Sequence, residues 1–467
     1  MSAAIMNDGV EGRAAGRCAV GAVMGSKNLK AVSVIGTKRA SYADDDAVKE
    51  AVKKWMKPMH IDTAGFREFG TSGGVATVEA VGDMPVKNWS IGNTDITNIT
   101  GQSMAAKILK KPYHCAQCPI GCGRTVHVTE GEYASIETGG PEYETMGMLG
   151  SNCLINDLKA VQMGNELCNR YGLDTISAGS AVSFAMEAYE AGLLSEELLE
   201  GKKARWGNAE DMIDIIKALG LREGKLGDLL ANGVKRASKM LGGLAEEMSV
   251  DVKGLEFPAH DPRASVATAL QYVTSTRGAD HLNSFTSDFT VPGSTPGFGF
   301  MPPTEMEPYE PSDANLNIVY THQHVMAMMD SLTGCKFVIF PLQDNFMPNM
   351  LLWLKDVTGW EMTQEDFMKT GERLFNLKRM YQVKCGVSRK DDVLPPKMTK
   401  RRMTGGAANH IPNVAALLDR YYELRGWDYY GIPSADKLED LGLSWLLDLG
   451  FKAGINDAYS CNSEAPV

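Results

Sequence analysis

The chain predicts a mostly α-helical protein with a small α/β or β segment at its N-terminal end. Three observations carry that prediction. Residues 155–240 form a long tract of helical spacing, three further helical patterns follow after residue 315, and one short run, Leu29–Gly36, has the unbroken apolar character of a buried strand.

Taken in order, Gly16 to Lys27 is a Gly-rich loop leading into that strand, and the pair reads as the interior of a domain. Ala43 to Met56 has helical spacing, with Asp44, Asp45 and Asp46 at the end where acidic side chains complement the helix dipole. Within 155–240, Asn156-Asp157 is a cap, Tyr171-Gly172 a break, and Ser177–Ala191 and Asp211–Leu219 are further helices. Residues 284–315 hold six prolines and three glycines among many Ser, Thr and Asp, which predicts a long irregular loop covering a site. In it Phe285, Phe289, Phe298 and Phe300 either wall an apolar pocket or pack as core. Val325–Met329, Gln364–Tyr381 and Asn413–Leu424 are helical patterns, and Tyr429-Tyr-Gly-Ile-Pro433 is a turn before a closing helical segment.

Length and composition are those of an ordinary globular chain: 467 residues, 44% hydrophobic and 22% charged, enough for about two or three domains. Lys and Arg number 47 against 58 Asp and Glu, and the resulting net charge of -11 argues against a nucleic-acid partner, which needs a basic face. An odd set of nine cysteines argues against a secreted disulfide framework. No run of about 18 apolar residues is present to span a bilayer. A soluble cytoplasmic protein with no membrane association is expected.

The densest chemistry lies in His114-Cys-Ala-Gln-Cys-Pro-Ile-Gly-Cys-Gly123, where Cys115, Cys118 and Cys122 stand at x2 and x3 spacing. Three thiolates leave one corner of an iron-sulfur cube unfilled, so a cluster needs a distant fourth ligand, for which Cys335 is the candidate. Zinc also needs four ligands, and no second Cys-x2-Cys or close His pair accompanies the triplet; a zinc knuckle and free thiols remain the alternatives. His322 and His324 stand two apart in a helical pattern, which points them apart rather than at one metal. Cys153 and Cys168 read as buried structural thiols.

Seven segments in order resemble the aldehyde:ferredoxin oxidoreductase family of tungsten enzymes. They are Gly12-Arg-Ala-Ala-Gly-Arg17 with Gly21–Lys30; Cys115–Cys122; Gly139-Gly-Pro-Glu-Tyr-Glu-Thr145 with Leu149-Gly-Ser-Asn-Cys153; Tyr171–Ser177; His260-Asp-Pro-Arg263; Thr274–His281; and Asp330–Cys335. The resemblance implies the fold of domains 2 and 3 of that family: residues 1–40 as a remnant of the N-terminal cofactor-base domain, 41–255 as a helical domain carrying the Cys triplet and Glu144, and 256–467 as a helical domain carrying His281 and Cys335, with the active site between the last two.

It also implies a tungsten bis-pterin cofactor (tungstopterin, with molybdenum as the occasional substitute), a 4Fe-4S cluster on Cys115, Cys118, Cys122 and Cys335, and a place for magnesium bridging the pterin phosphates. Pterin contacts fall on Arg13, Ala14 and Arg17, on Asn169, Gly172, Leu173 and Asp174, and on Asp330 and Gly334. Asn169 replaces the family's leading Asp, Thr333 and Gly334 replace its Gly-Leu, and Cys18-Ala19 stands where Gly-Gly is common. Gly172 and Asp174 equally suit a helix C-cap and the next N-cap.

At the metal the resemblance places Glu144 as base, with Tyr143 or His281 polarising a carbonyl, and Glu142 as the alternative base. The implied activity is oxidation of a small-molecule aldehyde to a carboxylic acid, with electrons passing to ferredoxin or an iron-sulfur subunit in a homo- or hetero-oligomer. A same-family reductase of acyl or aromatic thioesters, or a non-catalytic iron-sulfur electron-transfer subunit, are the rivals. Family members carry a substantial domain before Gly12-Arg-Ala-Ala-Gly-Arg17, of which little is present here, so the expectation is that this chain alone does not hold the tungsten cofactor.

Overall fold

The computed structural model describes residues 2–135, 137–287 and 293–454. The chain divides into two units: Met1–Ser41, Lys49–Ala264 and Pro395–Ile411 form the first, and Tyr42–Val48, Ser265–Leu394 and Pro412–Val467 the second. Helices dominate both, and the sheets have two or three short strands each.

In the first unit the helical tract forms where its caps dictate. Asp157 accepts from the amides of Lys159 and Ala160 and starts Leu158–Tyr171. Gly172, at φ 65°, ends that helix in the left-handed conformation that costs glycine nothing. Two residues on, Asp174 accepts from the amides of Ile176 and Ser177 and opens Thr175–Glu190. That second helix buries almost every side chain from Ile176 to Met186, which makes it the core of the unit. Asn208 caps the helix Ala209–Leu221.

A three-stranded antiparallel sheet of Leu109–Tyr113, Gly123–Val126 and Thr138–Gly139 lies in the same unit. Its first two strands are a hairpin closed by the pair Tyr113↔Gly123, so residues 114–122 are the loop. The third strand pairs Thr125↔Gly139, and the Gly140 amide donates to the Arg124 carbonyl. Because that strand runs antiparallel to its neighbour, the chain leaving it through Pro141 emerges at the end of the sheet that carries the 114–122 loop. Residues 395–411 are tied into this unit by buried charge: Arg402 meets Asp261, and Lys397 donates to Glu187.

Two expectations fail near the N-terminus. Leu29–Gly36 is not a buried strand: Val34 is 84% and Ile35 91% exposed, and among the described residues no strand pairs with it. A strand needs a neighbour to satisfy its backbone, and apolar sequence alone supplies none. Part of the Gly-rich loop is instead a short helix, Val20–Ser26. Cys18 and Ala19 just before it adopt φ 67° and 55°, the region that glycine visits freely.

The second unit is built on Val266–Thr274, Asp313–Ser331, Gln364–Lys384 and Ala415–Arg425; the last two lie where the periodicity predicts, and the predicted Val325–Met329 is only the C-terminal part of the longer helix Asp313–Ser331. Asp44 caps the helix Asp45–Asp62, as its acidic run implies. The segment 284–315 is less irregular than its composition suggests, since Gly293–Thr295 pairs with Thr304–Met306. Phe285, Phe298 and Phe300 are buried against Phe337, Phe340, His322 and Phe346, which is core packing; Phe289 lies outside the described residues. His322 meets the Ser284 carbonyl and burial holds its pKa down to about 4, whereas His324 contacts Arg425, so the two histidines do serve different neighbours. Cys153 and Cys168 are fully buried, and burial pushes both thiols up.

Candidate active site

Closure of the hairpin at Tyr113↔Gly123 is what brings Cys115, Cys118 and Cys122 into one short loop. The loop turns inside itself: the Cys118 amide donates to the Cys115 carbonyl, the Ile120 amide to Cys118 Sγ at 3.4 Å, and His114 Nδ1 meets the Cys118 carbonyl at 3.0 Å. Gly121 has φ 72°, and a Cβ there would lie 2.3 Å from His114 Cε1, so only glycine fits. Cys115 is exposed, and Cys118 and Cys122 are half-buried.

Two arginines flank the loop. Arg124 is buried and donates to the Gly121, Glu68 and Phe66 carbonyls, tying the hairpin to the helix Ala64–Phe69; burial lowers its pKa. Arg13, on the strand Arg13–Ala15, lies over the Tyr113 ring and pairs with Glu142 Oε1 at 2.7 Å. Burial works against its charge, but Glu142, with the Cys122 and Cys115 thiols adding to it, raises its pKa overall. Tyr113 donates to Asp8, a contact that pushes its phenol up to about 12.

Glu142 and Glu144 have different surroundings. Glu142 is held by Arg13 and accepts from Thr71 Oγ1 at 2.6 Å, so its charge is neutralised in place. Glu144 sits in the helical turn Tyr143–Thr145, which runs directly into a fully buried π-helical turn, Met146–Gly150, a distortion frequent at functional sites. Its Oε2 accepts from the Ala259 amide at 2.6 Å, and its Oε1 lies 3.8 Å from His260 Nε2. Burial raises its pKa; His260, the Ala259 amide and Arg17 work against that rise, and Asp174 adds to it. The Tyr143 hydroxyl donates to the Ala259 carbonyl at 2.6 Å, so its proton is committed to backbone. His260 and its partner Asp83, 2.6 Å away, received no role from the sequence; the two are 177 positions apart, and only the His260-Asp-Pro-Arg263 motif could have drawn attention to one of them.

Two of the segments assigned to pterin, 12–17 and 169–174, lie in the same unit. Ala3 bridges Leu173, the Ala4 amide donates to the Gly172 carbonyl, and the Asp174 amide to the Ser2 carbonyl. Asn169 packs on Gly12, where a Cβ would lie 2.4 Å from its Nδ2. Ala14 is exposed, and Arg17 donates to the Glu256 carbonyl. Glu256 is itself a buried carboxyl, raised by burial and bound by Ser177 and the Val234 amide, a group that no motif flagged. Asp174 keeps acceptor capacity beyond its two capping bonds, since a carboxylate offers about four lone-pair sites.

In the second unit, Asp330 pairs with Lys336 at 2.9 Å, and the Gly334 amide donates to the Met329 carbonyl. Thr333 takes φ 56°, the conformation a glycine would hold more cheaply. Cys335 is exposed and precedes a 3-10 turn, Lys336–Val338. His281 is half-buried beside Asp280, whose Oδ1 accepts from the Leu282 amide.

The donor chemistry suits the groups in question. Three thiols on one closed loop, with an amide directed at sulfur and two guanidiniums alongside, can hold three corners of an iron-sulfur cluster and offset its negative charge. The Gly172 carbonyl and the Asp174 amide are taken by Ala4 and Ser2, so the groups here whose chemistry suits a heterocycle bearing phosphates are the Asp174 carboxylate and the Arg13 and Arg17 guanidiniums.

A family model described as aldehyde ferredoxin oxidoreductase, domains 2 & 3, matches residues 46–443. The tungsten-containing aldehyde ferredoxin oxidoreductase of Pyrococcus furiosus is 38% identical over 450 residues, covering 95% of this chain and 71% of that protein. The protein of the same name from Thermococcus kodakarensis is 36% identical over 457 residues, with the same coverage of 95% and 71%. Among solved structures, the active site complex BamBC of benzoyl coenzyme A reductase with 1,5-dienoyl-CoA superposes with a TM-score of 0.75 at 24% identity, over 96% of this chain and 72% of that one, which shows the shared fold. The protein is therefore a mostly helical oxidoreductase-type chain, and it belongs to the aldehyde ferredoxin oxidoreductase family. Among the described residues no helix is long and apolar enough to cross a membrane.

Proposed function

We propose that the chain oxidises an aldehyde to its carboxylic acid, R-CHO + H2O → R-COOH + 2 electrons + 2 protons, with Glu144 as the base. The observation that supports this best is the Glu144 carboxyl: buried, raised in pKa, fixed through Oε2 by the Ala259 amide and facing an imidazole through Oε1. A base works best when its pKa approaches the working pH, and burial moves Glu144 that way. Glu142 is the weaker candidate, because its Oε1 is paired with the Arg13 guanidinium and its Oε2 accepts from Thr71. Since the Tyr143 proton is spent on Ala259, the donor that polarises the carbonyl is His281, on the strength of the resemblance.

When bound, tungstopterin supplies the two-electron chemistry and a 4Fe-4S cluster passes the electrons on singly, to ferredoxin or an iron-sulfur partner subunit. Cys115, Cys118 and Cys122 would hold three corners of that cluster, and Cys335 the fourth on sequence resemblance alone. Arg13, Ala14, Arg17, Asn169, Gly172, Leu173 and Asp174, with Asp330 and Gly334, would contact the pterins.

The test is aldehyde-dependent reduction of a viologen dye by the protein produced in a host that makes the cofactor, with tungsten, molybdenum and iron quantified. Activity lost in Glu144→Gln and kept in Glu142→Gln supports the assignment. Turnover of thioesters alone would replace it with the sister reductase. A fully loaded protein without turnover would make it an electron-transfer subunit.

A further inference from the structure

His260 and Asp83 form a buried pair directly behind Glu144. His260 Nδ1 lies 2.6 Å from Asp83 Oδ2, and the two side chains are 9% and 11% exposed. The opposite ring nitrogen, Nε2, faces Glu144 Oε1 at 3.8 Å. The assembly is held on several sides. Tyr143 lays its ring beside the imidazole at 5.0 Å and binds the Ala259 carbonyl, while Glu144 binds the Ala259 amide, so both backbone polar groups of the residue before His260 are engaged. The Asp261 amide in turn donates to the Asp83 carbonyl, which fastens the segment bearing His260 to the segment bearing Asp83.

This geometry selects a tautomer. An ionised carboxylate only accepts, so the short contact to Asp83 puts the imidazole proton on Nδ1 and leaves the Nε2 lone pair directed at Glu144. The imidazole is thereby set to receive a proton from Glu144 and to be stabilised as a cation by Asp83, the orienting logic of a carboxylate behind a catalytic histidine.

We propose that Asp83 and His260 are positioning residues that clear the proton from Glu144 after each turnover. This rests on the assignment of Glu144 as the base. In the step the Oε1–H bond of Glu144 breaks and an Nε2–H bond forms on His260; no electrons are transferred, Glu144 returns to carboxylate, and the imidazolium, balanced by Asp83, gives its proton up to water before the next turnover. The gap of 3.8 Å closes to hydrogen-bond distance with a movement of about 1 Å, within reach of a carboxyl rotation. In the first unit the charged and titratable groups that act on Glu144 include His260, Arg17 and Asp174, with Tyr143 adjacent; Arg17 and, once it is protonated, His260 favour its anion and Asp174 opposes it.

Two measurements on the full protein test this. Nitrogen-15 NMR of histidine-labelled, substrate-free protein near neutral pH is expected to show, among the imidazoles protonated at Nδ1 and bare at Nε2, one that is lost in His260→Gln and changed in Asp83→Asn. In turnover, both variants are expected to move the acid limb of the kcat profile to higher pH, because Glu144 loses a group that favours its anion, with kcat lower by on the order of 100-fold in His260→Gln and KM little altered. A His260 imidazole protonated at Nε2 overturns the relay, and assigning that ring through its own backbone correlations to Ala259 and Asp261 lets the wild-type spectrum decide even where a variant fails to fold. An acid limb that stays in place in both variants, while Glu144→Gln abolishes turnover, overturns the relay and leaves Glu144 as base. Retained turnover in Glu144→Gln overturns both.

Discussion

Two buried carboxylates, one in each unit, are treated oppositely by the fold. In the second unit Asp392 and Arg379 are both fully buried and meet through two hydrogen bonds of 3.0 and 2.7 Å, with Tyr422 donating to the carboxylate and Arg379 to the Gly431 carbonyl. In the first unit Glu144 meets a backbone amide and an imidazole. Burial opposes charge at both places, but Asp392 raises the pKa of Arg379, while Glu144 is left with its pKa raised. The contrast separates a pair locked in its ionised form, which holds the fold, from a carboxyl whose proton can move, which suits chemistry.

The largest effect that would break this comparison is on stability. Arg379→Ala strands Asp392 without its guanidinium and is expected to cost about 3–5 kcal/mol in denaturant unfolding. A loss under about 1 kcal/mol would show that the pair is not a structural lock. Next comes Glu144→Gln, expected to lower kcat by on the order of 100-fold or more without lowering the thermal midpoint at neutral pH.

That pairing of outcomes follows from linkage. A carboxyl raised in the folded state contributes stability that is fully present below the ordinary carboxylate range and is lost as pH rises through the raised value. At neutral pH its replacement therefore removes a penalty. Asp261 has the opposite sign: burial raises its pKa, but Arg263 and Arg402 outweigh that and hold it below the usual range. Its stability is present above the ordinary carboxylate range and is lost as pH falls through the depressed value. Asp261→Asn should accordingly cost most near neutrality and little in strong acid, and unfolding curves at several pH values that show a constant difference would refute this.

A smaller effect sharpens the picture of the cysteine loop. Gly121→Ala forces a Cβ into the His114 ring at a left-handed backbone position, with an expected cost of about 1–2 kcal/mol and a fall in iron per chain by metal analysis. The smallest is Thr333→Gly, which relieves a β-branched residue at φ 56° and is expected to raise stability by up to about 1 kcal/mol in thermal unfolding.

Much of the helical framework was legible because its signals are local. Asp157, Gly172 and Asp174 lie within a turn of the ends they cap, and their side-chain or backbone geometry needs no distant partner. The cysteine triplet was equally legible, since its spacing is contained within one hairpin loop. The prediction for Leu29–Gly36 failed because a strand is defined by what lies beside it. Arg124 went unnoticed because its carbonyl partners include Glu68 and Phe66, more than fifty positions away. The resemblance named Glu144 as the base with Glu142 as the alternative, and what distinguishes their surroundings, Arg13 for Glu142 and the Ala259 amide for Glu144, comes from 129 and 115 positions away.

Sequence by itself determined the helical class, the caps, the closed loop of thiols and the set of acidic residues among which a base is found, because each depends on neighbours within a few residues. Tertiary structure alone decided which carboxylate is charge-paired, which has a raised pKa, and that an imidazole backed by Asp83 stands behind the latter. Those properties depend on desolvation and on charges brought close by folding, quantities that no stretch of chain possesses before it is packed.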